Sequence, residues 1–119
     1  MPKKHDARVL DALSATIKKR RGGDPEKSYT AKLLSKGTKH LAKKLAEESA
    51  EAVIDAVSGN KDGLVRESAD VLYHLLVLWA DAGIAPPQVW AELARREGIS
   101  GIAEKRARGA KIKPSRKKA

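Results

Sequence analysis

Two stretches of helical periodicity, at about 39–58 and 62–81, meet at Gly59-Asn60, and this junction leaves the chain very few folds to choose from. Long helices joined by so short a turn must run back along each other as an antiparallel hairpin. The glycine stops the first helix, and Gly83 stops the second. Apolar residues mark the facing surfaces: Leu41, Leu45, Val53, Ile54 and Val57 on one helix, Leu72, Leu75, Leu76 and Trp79 on the other. No alternating Val/Ile/Thr-rich run supports a strand, so the pattern predicts an all-α fold.

Shorter helices flank this hairpin. Asp6 is placed to cap a helix over 7–20, where Val9, Leu10, Leu13 and Ile17 recur at helical spacing until Gly22, Gly23 and Pro25 break it. A short segment over 29–35 ends at Gly37, and Pro86-Pro87 opens a helix running to about Arg96. A last turn is predicted over 100–108. Such companions bury the hairpin poorly, because residues 71–80 are apolar around nearly the whole helix apart from Tyr73 and His74. Two copies are therefore expected to pair as a homodimer with a four-helix-bundle core.

Composition narrows the function. The 119 residues contain no Cys, which excludes disulfides, thiolate metal sites and cysteine nucleophiles. Aromatics are only 3% with no Phe, so an aliphatic core is expected. The longest apolar run, 71–80, falls far short of a membrane span, and no apolar stretch follows the basic residues at the N-terminus. A cytoplasmic location is the expectation. The net charge of +10 would suit nucleic acid, but its distribution argues otherwise. Residues 28–104 hold 9 basic and 11 acidic side chains, whereas residues 105–119 hold 8 and 0. A single domain over 1–108 followed by a basic, solvated or disordered tail over 109–119 accounts for this pattern.

The acids of the hairpin are its most informative feature. Glu47, Glu48 and Glu51 share a face of the first long helix, and Glu67 and Asp70 repeat the i, i+3 spacing on the second. Glu48 falls in line with Leu41, Leu45 and Ala52, and Asp70 is set among Ser68, Ala69, Val71 and Leu72, so these carboxylates are expected to point inward. A carboxylate on an apolar seam costs several kcal/mol unless a positive charge meets it. Surface acids paired with Lys43, Lys44 or Arg66 are one explanation. Hard-cation binding is the other and the stronger, since oxygen ligands on rigid helices suit Mg²⁺ or Mn²⁺. Mg²⁺ usually takes one or two carboxylates plus substrate phosphates, so a surplus of acids points to more than one ion and a polyphosphate.

The pattern Glu47-Glu48-x-x-Glu51 followed by Glu67-x-x-Asp70 resembles the signature of the all-α, MazG-like nucleoside triphosphate pyrophosphohydrolases. Its flanks narrow the likeness. Ser28-Tyr29-Thr30-Ala31-Lys32-Leu33-Leu34, Lys36-Gly37, Lys43-Lys44 and Asp70-Val71-Leu72-Tyr73-His74-Leu75 together resemble the phosphoribosyl-ATP pyrophosphohydrolase family of histidine biosynthesis. The likeness covers about 6–109, with departures at Ser49 and, loosely, over 38–40.

That resemblance implies hydrolysis of 1-(5-phosphoribosyl)-ATP between its α and β phosphates, releasing pyrophosphate, in a stand-alone Mg²⁺-dependent enzyme. It implies Glu48, Glu51, Glu67 and Asp70 as metal ligands. Glu47 is implied as a second-site ligand or as the base that orients water, and Glu48 as its catalytic neighbour. Around the substrate it implies Ser28, Tyr29, Thr30, Lys32, Lys36, Lys43, Lys44 and Tyr73. For several of these a plainer role is open: Ser28 and Thr30 as helix caps, Tyr29 as packing, the lysines as solvated charge. His74 is expected to be a buried histidine or a support for the ligands, Trp79 and Trp90 core or interface, and Arg95 and Arg96 a phosphate contact or a solvated helix end. Two rival functions remain at this point, a pyrophosphohydrolase acting on ordinary or damaged nucleoside triphosphates and a small basic nucleic-acid binder.

Overall fold

The computed structural model describes residues 5–99, 101–102 and 105–109; the N-terminal residues 1–4 and the basic stretch from 110 onward, with most of the predicted tail, lie outside them. The fold is all-α, and the described residues contain no strand. Five helices follow in order: α1 Arg8–Arg20, α2 Tyr29–Lys36, α3 Thr38–Val57, α4 Lys61–Ala82 and α5 Pro86–Glu97. Residues 101–102 and 105–109 are also helical, in the region of the predicted last turn. No single helix is long and apolar enough to cross a membrane. Packing divides the chain into two compact units, Met1–Pro86 and Pro87–Ala119.

Local chemistry explains the boundaries. Asp6 Oδ1 accepts the Arg8 N–H at 2.9 Å, supporting the start of α1, although the backbone cap position is Ala7. Ser28 sits in extended backbone, and its Oγ accepts the Ala31 N–H at 3.1 Å, capping α2. Gly37, at φ 90° and ψ 174°, ends α2 and starts α3 in one residue. The hairpin turn uses Gly59 at φ 76° and Asn60, whose Oδ1 accepts the Gly63 N–H at 3.0 Å. Gly83 closes α4 in the left-handed region, at φ 76°.

In the first unit, α3 packs most extensively on α4, and α1 and α2 lie against them. The core is Ile17, Leu33, Leu41, Leu76 and Val77, with Leu10, Leu13, Leu34, Tyr73, Leu78 and Trp79 packed around it. It therefore occupies the half of the hairpin formed by the start of α3 and the end of α4. The other half departs from expectation. Val53, Ile54, Val57 and Leu72 are 61%, 64%, 85% and 44% exposed, because α1 and α2 do not cover that end of the hairpin.

Candidate active site

Antiparallel pairing brings the middle of α3 beside the first half of α4. One carboxylate oxygen each from Glu48, Glu67 and Asp70 lies within 4.8 Å of the others. Inward placement holds in part: Glu48 and Glu67 are half-buried, whereas Asp70 and Glu51 are exposed at the rim. Glu67 bears the strain. Sharing a proton with Glu48 is the main cause that pushes its pKa from 4.5 up to about 7, followed by burial and by the Glu51 carboxylate. Its Oε2 is buried without a hydrogen-bond partner. Among the described residues no lysine or arginine forms an ion pair with Glu48, Glu51, Glu67 or Asp70. Lys44, one turn before Glu48, instead meets Glu47 at 3.8 Å, and Glu47 stands outside the three-acid group. Crowded carboxylates with an unsatisfied buried oxygen and no cationic partner fit a hard divalent cation, and the all-oxygen donor set fits Mg²⁺ or Mn²⁺.

A second group of predicted residues gathers where α2 crosses α4. The Tyr73 hydroxyl and Thr30 Oγ1 are hydrogen-bonded at 2.6 Å, and burial pushes the Tyr73 pKa above its usual value. Tyr29, 56% exposed, stacks on the Tyr73 ring with centroids 6.3 Å apart and planes 19° from parallel. Tyr73 lies one helical turn after Asp70, so the aromatic pair is tied directly to the acid-bearing helix. Beside it opens a pocket of about 570 Å³ lined by Pro25, Glu26, Lys27, Ser28, Tyr29 and Lys32. Ser28, Tyr29 and Lys32 were legible in the sequence. Lys27 was not, although its place just before the capping Ser28 was a usable signal.

His74 is 5% exposed, and its Nδ1 is 2.8 Å from the Asp70 backbone carbonyl. A carbonyl only accepts, so Nδ1 donates this bond, while Nε2 is buried and unpartnered. The ring packs edge-on to Tyr73, with centroids 5.1 Å apart. Lys36 and Lys43 are exposed, and Lys44 is half-buried. In the second unit Arg95 and Arg96 both bind Glu92, at 2.7 Å and 2.8 Å, holding its pKa down at about 2. A separate cleft of about 260 Å³, with Lys18, Arg21 and Trp79 on its walls, takes in none of the acids.

The phosphoribosyl-ATP pyrophosphohydrolase family profile matches residues 10–97. A phosphoribosyl-ATP pyrophosphatase of Azospirillum brasilense is 60% identical over 105 residues, 88% of this chain and 95% of that protein. Its counterpart in Paramagnetospirillum magneticum is 57% identical over 106 residues, 89% of this chain and 97% of that protein. One from Gluconobacter oxydans is 55% identical over 100 residues, covering 84% and 75% respectively.

Proposed function

The chain belongs to the phosphoribosyl-ATP pyrophosphohydrolase family, and on that premise we propose that its hairpin carboxylates hold the Mg²⁺ used to split phosphoribosyl-ATP. The reaction converts 1-(5-phosphoribosyl)-ATP and water into 1-(5-phosphoribosyl)-AMP and pyrophosphate, the second step of L-histidine biosynthesis. The observation that carries the metal assignment is the buried, unpartnered Oε2 of Glu67, whose carboxyl interacts with Glu48 and Glu51 and, among the described residues, forms no ion pair with a lysine or arginine. Glu48, Glu51, Glu67 and Asp70 would hold the ion, with Mn²⁺ as a substitute. Bound there, it supplies charge neutralisation for the phosphate oxygens and the departing pyrophosphate.

The remaining work falls to the chain's own side chains. Glu47, next to Glu48 but outside the three-acid group, orients the attacking water together with Glu48. Tyr29 offers an exposed ring, backed by Tyr73, on which the adenine stacks. Ser28 uses an oxygen lone pair to cap α2, so its hydroxyl proton is left to donate to a phosphate. The Thr30 and Tyr73 hydroxyls share one hydrogen bond, and one proton remains to donate onward. Lys32 at the pocket wall, with Lys36, Lys43 and Lys44, supplies positive charge along the phosphates.

The active assembly in this reading is a cytoplasmic homodimer, supported by the apolar stripe that α1 and α2 leave open. Val53, Ile54, Val57 and Val65 are each at least 61% exposed, a costly arrangement for a lone chain. Pyrophosphate release from phosphoribosyl-ATP with and without EDTA tests the metal requirement, and a panel of nucleoside triphosphates tests the substrate. Glu48→Gln and Asp70→Asn should each abolish turnover while remaining folded. Full activity in either variant would overturn the metal site.

A further inference from the structure

Next to the acids, α3 carries a second cluster of one sign on the same face. His40, Lys44 and Glu48 succeed one another at i, i+4 spacing, and Glu51 continues the stripe. Lys44 thus stands about 6 Å and His40 about 12 Å along the helix axis from Glu48. Lys36, the last residue of α2, and Lys43 complete a cationic group around the half-buried His40 ring. The charged groups acting on that ring are Lys36 from α2 and Lys44, Lys43 and Glu47 from α3. Burial first, then the three lysines, hold its pKa below the usual histidine value, and Glu47 offsets this in part. Among the described residues no ion pair joins Lys36 or Lys43 to an acid, and Lys44 has only its 3.8 Å approach to Glu47.

Like charges gathered in excess destabilise the empty protein at both ends of this stripe; at the cationic end Glu47 offsets them in part, and the Asp81 carboxylate of α4 accepts from the Thr38 hydroxyl at 2.6 Å. A polyphosphate with its cation relieves both ends together. Resting on the function proposed above, we infer that His40 is a substrate-contacting residue that binds the phosphates destined to leave as pyrophosphate, at the Lys36, Lys43 and Lys44 end of α3. The substrate is thereby oriented, with its terminal phosphates toward the start of α3. A histidine suits this place better than a fourth lysine. Neutral at rest, it adds nothing to the repulsion among the lysines. When a phosphate oxygen arrives, the ring takes a proton from solvent and becomes a charged donor; when pyrophosphate leaves, the proton returns to solvent.

The test uses the full chain with inorganic pyrophosphate and Mg²⁺ as the probe. The His40 imidazole is titrated by NMR with and without the probe, its signal assigned by its absence from H40Q. Pyrophosphate should raise the His40 pKa by about one unit, equivalent to about tenfold in affinity. Calorimetry at pH 8 and pH 6 should then show the natural chain gaining up to about tenfold more affinity than H40Q or H40N over the same interval. The probe's own titration is common to all three proteins and cancels in the comparison. An unmoved His40 pKa, or an equal gain in both variants, would overturn the inference. Hydrolysis by E48Q, measured alongside, keeps the two ideas apart. Lost turnover in E48Q with pyrophosphate binding indifferent to His40 sinks only the His40 inference, and retained turnover in E48Q sinks the carboxylate site.

Discussion

Filling the carboxylate cluster with a divalent cation should expel protons, by an amount fixed by Glu67. With its pKa at about 7, Glu67 in the metal-free protein carries about 0.9 proton at pH 6, about 0.5 at pH 7 and about 0.1 at pH 8. A coordinating carboxylate must be ionised, so those fractions are the protons released per cation bound at Glu67. Titrating the metal-free chain with MgCl₂ in buffers of different ionisation enthalpy measures them calorimetrically. The same group sets a pH dependence of stability in the absence of metal. Its folded pKa lies above the unfolded value of 4.5, so its stabilising contribution is complete below pH 4.5 and disappears as pH rises through about 7. The melting temperature of the metal-free protein should accordingly fall across that window, and Mg²⁺ should restore it at pH 8. Glu67→Gln should flatten the metal-free profile. Proton release that is negligible at pH 6, or a melting profile unchanged in Glu67→Gln, would refute the assignment of the shared proton to this residue.

Ile54→Asp places a charge on a residue 64% exposed in the single chain, so circular dichroism should be unchanged while sedimentation shows the assembled species giving way to one chain mass. Equal sedimentation of the variant and the natural chain would remove the stripe as an interface. Gly63→Ala would set a Cβ 2.8 Å from Asn60 Cγ and from Asp55 Oδ2. The displaced cap and crowding, about 2 kcal/mol, exceed the about 1 kcal/mol that Ala gains in a helix, so urea denaturation should report a net loss of about 1 kcal/mol. Tyr73→Phe removes the bond to Thr30 and should cost about 1 kcal/mol of stability in the same assay, with a higher KM as α2 loosens.

Much of the architecture was legible because its signals are local. The glycines at 37, 59 and 83 that punctuate the sequence all adopt positive φ, and Ser28 and Asn60 cap the helices that follow them. Spacing alone also put Glu48 and Glu51 on one face of α3 and Glu67 and Asp70 on one face of α4. What spacing does not contain is how α3 and α4 are rotated against each other. That rotation decides that Glu48 joins the cluster, Glu51 acts on it from the rim and Glu47 turns to Lys44. The apolar pattern likewise marked Val53, Ile54 and Val57 as facing residues without revealing that they stay largely exposed among the described residues. The Tyr29–Tyr73 stack and the His74 bond to the Asp70 carbonyl depend on tertiary packing and on a backbone acceptor, neither of which a residue pattern records. Arg95 and Arg96, ambiguous as phosphate contacts, are engaged by Glu92.

Gly37 gives the pocket a mechanical property. Its φ of 90° with ψ of 174° lies in a region essentially reserved for glycine, and it joins α2 to α3 with no slack residue on either side. The eight residues of α2 form a lever about 12 Å long. A rotation of about 10° at this elbow would swing the Ser28 end by about 2 Å, enough to break a hydrogen bond to a phosphate. Near the free end of the lever, the Thr30–Tyr73 bond fastens it to α4 three residues from Asp70. α2 is thus a strut clamped at both ends, and Gly37, outside the pocket wall, sets the angle at which Ser28, Tyr29 and Lys32 face the acid-bearing helices.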